Sequence, residues 1–144
     1  MEEQKTRDGR VRNYLNAKRR RPMDHIFFKQ AFSNPLDMNN AGKYAAPLEM
    51  VRWAPSASNK QPWRIVRIGD AWHFFLQRTQ GYGKGTMLFN ILRLADLQRI
   101  DMGIAMCHFE LTALELGLKG YWQITDPKID IPEKTEYSIT WINS

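Results

Sequence analysis

The stretch that decides the fold is residues 54–63, which read Ala54-Pro55-Ser56-Ala57-Ser58-Asn59-Lys60-Gln61-Pro62-Trp63. Proline interrupts a helix and disfavours helical geometry in the residue before it, and short polar side chains compete with the backbone for hydrogen bonds. The segment therefore predicts a loop. It separates a predicted helix at about residues 44–53 from a predicted strand that begins at residue 63.

The predicted helix before the loop carries apolar residues on one side. Leu48 and Val51, with Trp53 as a further candidate, are expected to face inward. Pro47 is tolerated because the N–H groups of a first helical turn have no partner within the helix. Upstream, residues 23–32 contain one isoleucine and three phenylalanines and predict a second, short helix.

The segments after the loop predict strands. Residues 63–68 and 71–77 are rich in aromatic and β-branched side chains, and Gly69-Asp70 between them favours a tight antiparallel hairpin. Two further strands are predicted at residues 121–124 and 136–142. The expected fold class is therefore α+β, with helices packed against a mostly antiparallel sheet, and 144 residues without an internal repeat favour one domain.

The longest periodic segment predicts a helix at about residues 97–116. Its apolar side chains recur every three or four residues and are expected to face the core; they are Ile100, Ile104, Cys107, Leu111, Leu114 and then Leu118. Asp96 and Asp101 lie near its start, where carboxylates suit the helix dipole, and Gly117 is placed for the C-cap.

The positive charge is concentrated at the start of the chain. The net charge is +6, and the first 22 residues contain eight Lys or Arg against three Asp or Glu, so the remainder is almost neutral. The basic leader admits two interpretations: a solvated or frayed terminus, or a segment that binds RNA or an acidic partner. There is no apolar run of transmembrane length, and with the one cysteine this favours a soluble, cytoplasmic protein.

Two other motifs do not predict a site. His108 and Glu110 have the spacing that begins a zinc deaminase signature, but Cys107 is the single cysteine and cannot complete it, so no metal is expected. We expect Cys107 to be an ordinary core residue. The glycine-rich residues 81–85 match neither the dinucleotide fingerprint nor the P-loop, and they predict a surface loop.

Residues 55–61 admit a plain and a functional interpretation. In the plain one, Pro55 ends the helix and the small polar residues make a turn. In the functional one, serine hydroxyls, amides and backbone N–H groups offer short neutral donors and acceptors. The pyrimidine edge and ribityl hydroxyls of a flavin need such partners.

Several separated segments, in order, resemble the FMN-dependent nitroreductases, in particular the longer single-chain subgroup in which two nitroreductase-like halves are fused. The resemblance spans roughly residues 17–142, and its main segments are 48–64, 100–105 with His108-Phe109, and 117–122. It implies a nitroreductase-like fold. It also implies that Pro55, Ser56, Ala57, Asn59 and Gln61 contact FMN, while the catalytic residues stay unassigned.

The resemblance further implies hydride transfer from NADH or NADPH through FMN to nitroaromatics, quinones or similar small-molecule acceptors. Family members usually begin with an Arg-Arg-Ser-x-Arg segment that holds the FMN phosphate, and no match to it is found here. Arg19, Arg20 and Arg21 align instead with the junction between the two halves. The chain thus resembles the C-terminal half alone, with residues 1–16 as a basic leader or flexible segment and 17–144 as the domain.

Three hypotheses follow from this half-length resemblance. The first is an FMN oxidoreductase whose site is completed by homodimerisation or by a separately encoded N-terminal half. The second is a non-catalytic remnant or interaction subunit of a split or truncated nitroreductase. The third is a basic-tailed RNA-binding module, against which the almost neutral body and the absence of an RNA-binding strand motif argue.

Overall fold

The computed structural model describes residues 16–81 and 96–144. Six strands form one sheet: β1 (Phe27–Lys29), β2 (Ala31–Pro35), β3 (Trp63–Ile68), β4 (Ala71–Gln77), β5 (Gly120–Gln123) and β6 (Thr135–Asn143). Their order across the sheet is β2-β1-β3-β4-β6-β5. The β1–β3 pair is parallel and the other pairs are antiparallel. The predicted α+β class with a mostly antiparallel sheet is confirmed.

Two helices, α1 (Ala45–Trp53) and α2 (Leu97–Glu115), match the predicted helices closely. The hairpin of β3 and β4 also forms as predicted, and Gly69 has the positive φ of +57° that its tight turn requires. Gly117, with φ of +71°, ends α2 as expected. Its N–H donates to the carbonyl of Leu114, and the N–H of Leu118 donates to that of Ala113.

The predicted helix at residues 23–32 is wrong. A short 3₁₀ turn (Met23–His25) leads directly into β1, and Gln30, with φ of +66°, turns the chain into β2. Phe27 packs in the core on the helix side of the sheet, while Phe28 packs with Val66 on the opposite face. This alternation suits a strand, and pairing with β3 outweighs the local helical pattern.

The main core lies between the sheet and the two helices. Phe109 of α2 is fully buried at its centre and meets the rings of Tyr44, Trp72, Phe74 and Trp141 at centroid distances of 5.3–6.2 Å. The indole N–H of Trp141 donates to the Tyr44 hydroxyl at 3.1 Å, which satisfies a polar group inside this aromatic cluster.

Much of the side of α2 that was predicted to face the core faces outward, although Ile104 and Leu118 are partly buried and pack against the core. Ile100, Leu111 and Leu114 are 53%, 61% and 54% exposed, and Cys107 is exposed as well. The buried side consists of Gln98, Asp101, Met102, Ala105, Phe109 and Ala113. Small Ala105 and Ala113 on either side of Phe109 let the helix approach its neighbours, so close packing selects the less apolar side.

Trp53 was also a candidate for an inward position, and this prediction is wrong. Its side chain is half-exposed at the end of α1, where the guanidinium groups of Arg20 and Arg52 lie 5.3 and 5.0 Å from the ring centroid. The indole N–H donates to Glu49 at 2.7 Å. Trp53 is therefore part of a polar surface cluster beside the loop.

Candidate functional site

The predicted loop connects α1 to β3 and contains a short 3₁₀ turn at Ala57–Asn59. Ser58, Asn59 and Gln61 have φ values of +50°, +52° and +49°, which place three non-glycine residues in the left-handed region. Each such residue costs roughly 1–2 kcal/mol compared with right-handed geometry. The loop therefore depends on specific hydrogen bonds for its shape.

Two hydrogen bonds fix the first half of the loop. The Ser56 hydroxyl oxygen accepts from the backbone N–H of Gln61 at 2.9 Å, which closes the loop on itself. The backbone N–H of Ala57 donates to Asp101 Oδ1 on α2 at 3.0 Å. The loop is thus closed on itself and anchored to the long helix.

Asp101 is almost completely buried, with 2% of its surface exposed. Its Oδ1 accepts the Ala57 N–H, while Oδ2 has no hydrogen-bond partner among the described residues. Burial raises the pKa of this carboxyl, and the hydrogen bond from Ala57 opposes that change only in part. The sequence suggested a role with the helix dipole, but the carboxyl acts as an anchor for the loop.

The amides of Asn59 and Gln61 hold the chain that precedes the domain's first strand. Asn59 Nδ2 donates to the carbonyls of Asn16 and Arg19 at 2.7 and 2.9 Å. Gln61 Nε2 donates to the Arg19 carbonyl at 3.2 Å, and Gln61 Oε1 accepts from the Arg21 N–H at 2.8 Å. Both amides therefore position the arginine segment.

Arg20 joins the arginine segment to the end of α1. Its guanidinium stacks over Trp53 and donates to the Trp53 and Ala17 carbonyls at 3.2 and 2.8 Å. Arg19 and Arg21 border a cleft of about 460 Å³ beside residues 58–61 of the loop. The arginine run lies against the loop, although the two segments are distant along the chain.

The structure brings the five predicted cofactor-contacting residues together in one loop but gives them different surroundings. Pro55 is exposed, Ser56, Ala57 and Asn59 are half-buried, and Gln61 is buried. Their contact with FMN stays a prediction. Asp101 and the arginine segment were missed as parts of the site. The run of basic residues before Pro22 was a visible sequence signal for the arginine segment. No local pattern revealed the anchoring role of Asp101.

The other motifs remain outside this site. Glu110 accepts from the indole N–H of Trp122 at 3.1 Å, and in residues 16–81 and 96–144 no group of three or more His, Cys, Asp or Glu could hold a metal ion. Cys107 is exposed, contrary to the predicted core position. Of the predicted loop at residues 81–85, all but the first residue lies outside the described residues.

His73 has a structural partner that the sequence did not reveal. Its Nδ1 lies 2.8 Å from the Thr140 hydroxyl, which in turn donates to the Thr125 carbonyl at 3.0 Å. Burial lowers the pKa of His73 and so favours the neutral ring. This network lies between β4 and β6 and gives the histidine a role in sheet packing.

The comparisons with known proteins agree with this architecture. A family model described as "Putative TM nitroreductase" matches residues 5–113. The chain belongs to this nitroreductase family, a family of oxidoreductases that generally use flavin cofactors. The resemblance drawn from the sequence is thereby confirmed at the level of the family.

A solved structure gives the same result for the fold. A protein from Thermotoga maritima, described as a putative nitroreductase, aligns with a TM-score of 0.51 and 24% sequence identity. The alignment covers 86% of this chain and 42% of that chain, so the present chain spans less than half the length of this relative. The size fits the predicted half-fold. No curated protein sequence matches.

One further property concerns the helices. Within the described parts of the chain, neither helix combines the length and the apolar character that crossing a membrane requires.

Proposed function

We propose that this chain is one half of an FMN-dependent oxidoreductase, in which residues 55–61 lie against the flavin. The observation that carries the proposal is the anchored loop in a chain that belongs to a family generally using flavins. Ser56 presents a short neutral group on a loop that is closed on itself and fixed to α2. FMN would supply the hydride chemistry, and NADH or NADPH would be the electron donor.

The residues present fit one side of a flavin. The Ser56 oxygen already accepts from Gln61, which leaves its hydroxyl hydrogen available to donate to a carbonyl or ring nitrogen. The side-chain amides of Asn59 and Gln61 are engaged with residues 16–21. Their contribution would therefore be mainly to hold the loop in shape, while Pro55 and Ser56 provide direct contact.

The proposal includes a partner that completes the site. Ile100, Leu111 and Leu114 form an apolar stripe on the outer side of α2, which would remain exposed in an isolated chain. The relative from Thermotoga maritima is more than twice as long as the aligned part of this chain. A second copy of the chain or a separately encoded N-terminal half would cover the stripe. The N-terminal half would also bring the Arg-Arg-Ser-x-Arg segment that has no match in this chain.

The remaining parts of the proposal follow from the family. The electron acceptors would be nitroaromatics, quinones or similar small molecules, which the flavin would reduce in a second half-reaction. The cytoplasm would be the location. The exposed thiol of Cys107 fits a reducing compartment, because an exposed free cysteine is prone to oxidation elsewhere.

An FMN titration tests the proposal. We expect the flavin absorption to shift and its fluorescence to be quenched when the chain, alone or with a co-expressed N-terminal half, is added. Ser56→Ala should weaken binding several-fold, because it removes a hydrogen bond to the flavin and also the acceptor of the Gln61 N–H that closes the loop. Ser33→Ala, an exposed serine on β2, is the matched control. Absence of FMN binding in both preparations would refute the proposal.

A second candidate function is a non-catalytic interaction subunit. It is favoured by the internal hydrogen bonds of Asn59 and Gln61, which keep the amides from a ligand. This candidate predicts association through the outer stripe of α2 without flavin binding. The same titration, combined with light scattering to measure the mass of the assembly, separates the two functions.

A further inference from the structure

The cleft beside the loop is bordered by basic side chains. Arg19, Arg20, Arg21, His25 and Lys60 all line it, and no Asp or Glu is among the described residues that do so. Like charges that border one cleft repel one another, and the repulsion is relieved by an anion or by solvent. The composition of the cleft therefore selects for a negatively charged ligand.

The basic segment is held in a fixed position. The Arg19 carbonyl accepts from both Asn59 and Gln61, and the Arg21 N–H donates to Gln61 Oε1. These contacts fix the backbone on both sides of Arg20. The side chains therefore extend from an ordered frame, which lowers the entropic cost of closing them on a ligand.

The three consecutive arginines have different partners. Arg20 is engaged with Trp53 and with backbone carbonyls. Arg21 donates from Nε to the Lys60 carbonyl at 3.4 Å, and its two terminal nitrogens have no hydrogen-bond partner among the described residues. The Arg19 guanidinium has none in the same part of the chain. Arg19 and Arg21 thus retain the forked donor groups that bind oxyanions.

A buried cation close to the cleft also favours a negatively charged ligand. Arg64 is 6% exposed and donates to the Gln61 and Trp63 carbonyls at 3.0 and 2.6 Å. No carboxylate pairs with it among residues 16–81 and 96–144. Burial, and secondarily the charge of Arg21, lowers the pKa of Arg64 to about 10. Among the described residues, no carboxylate therefore compensates the positive charge of Arg64 behind the cleft.

We propose that this cleft binds the phosphate group of a small phosphate ester, such as a nucleotide, through Arg19 and Arg21. A phosphate offers three acceptor oxygens and close to two negative charges at neutral pH, which match two forked guanidinium groups and the added charge of Lys60. The inference goes beyond the proposed flavin contact, because it concerns different residues and holds for any ligand that carries the group.

Calorimetric titration with inorganic pyrophosphate tests the site directly. We expect the full chain to bind pyrophosphate, and Arg21→Gln and Arg19→Gln each to raise the dissociation constant about tenfold or more, because a charge-assisted contact is lost. Lys43→Gln removes one positive charge beside the N-terminal end of α1, away from the cleft, and should change the constant less than about twofold. Circular dichroism checks that each variant is folded.

The source of the phosphate group is identified by paired ligands. A preference for FMN over riboflavin that Arg21→Gln abolishes would identify the flavin phosphate, and a preference for NADPH over NADH abolished in the same way would identify the donor. Pyrophosphate binding without either preference supports another phosphate ester. Failure to bind pyrophosphate, equal binding by Arg21→Gln and the unsubstituted chain, or retention of RNA that pyrophosphate does not displace would overturn the proposal.

Discussion

The two sides of α2 differ in a way that the amino-acid pattern does not predict. The side against the sheet contains two alanines, a phenylalanine and a buried carboxyl, whereas the outer side contains larger aliphatic residues, more than half exposed. The first side is selected by shape, because close approach to the aromatic core requires small neighbours around Phe109. The second side has the composition of a core but not its surroundings, which is the expected character of an interface.

The largest effect is expected on the inner side. Phe109→Ala should lower the free energy of unfolding by about 3–5 kcal/mol, because it removes the ring on which the aromatic cluster of Tyr44, Trp72 and Phe74 converges and leaves a cavity. Urea denaturation followed by tryptophan fluorescence measures the change. A loss below about 1 kcal/mol would show that this side does not form the core.

A smaller loss is expected where the inner side holds the loop. Asp101→Ala should lower the free energy of unfolding by about 1–3 kcal/mol, because the Ala57 N–H loses its acceptor. Asp101→Asn keeps a carbonyl oxygen in this place and should restore most of the stability. Protease cleavage within residues 54–61 should increase for Asp101→Ala only. If both variants behave alike, the hydrogen bond to Ala57 is not the anchor.

The pH dependence of stability tests the burial of the Asp101 carboxyl. The folded-state pKa of Asp101 lies above its ordinary value of 3.8, so the unfolded chain releases this proton first. The contribution of Asp101 is most favourable below pH 3.8 and is lost as pH rises through the folded-state pKa. Relative to Asp101→Asn, the unsubstituted chain should therefore become less stable over this range. Urea midpoints of both proteins at a series of pH values measure the difference.

The smallest effect on the isolated chain is expected on the outer side. The double substitution Leu111→Ser and Leu114→Ser should change the free energy of unfolding by less than about 1 kcal/mol, since both side chains are largely exposed. The same change should reduce self-association or binding to an N-terminal half, as measured by light scattering at several concentrations. A strongly destabilised monomer with unchanged association would contradict the distinction between the two sides.

Local sequence patterns predicted where several helices and strands begin and end. They did not predict what those elements pack against. The bounds of α1, α2, β3 and β4 follow from prolines, glycines and side-chain periodicity, which act within a few residues. The helix predicted at residues 23–32 failed because the partner of β1 is β3, almost forty residues later. The prediction that the apolar stripe of α2 faces the core failed because periodicity identifies an apolar side of a helix but not the surface that covers it.

In the candidate site, too, the local features were predictable from the sequence and the distant contacts were not. The loop was predictable from Pro55, Pro62 and the small polar residues between them, and the family resemblance supplied its expected ligand. The contacts that shape it come from Asp101 and from residues 16–21, which are distant along the chain. Such hydrogen bonds depend on the assembled sheet and helices, and no local spacing encodes them.

The left-handed residues of the loop have a consequence for the order of folding. Three unfavourable backbone geometries in four positions are stabilised by hydrogen bonds that span 40 to 44 residues. Bringing residues this far apart in the chain together costs entropy before any of the hydrogen bonds form. The loop therefore cannot form early or by itself. We expect it to become ordered in the last kinetic phase of refolding, after the hairpin of β3 and β4, and a peptide of residues 54–63 to remain a statistical coil.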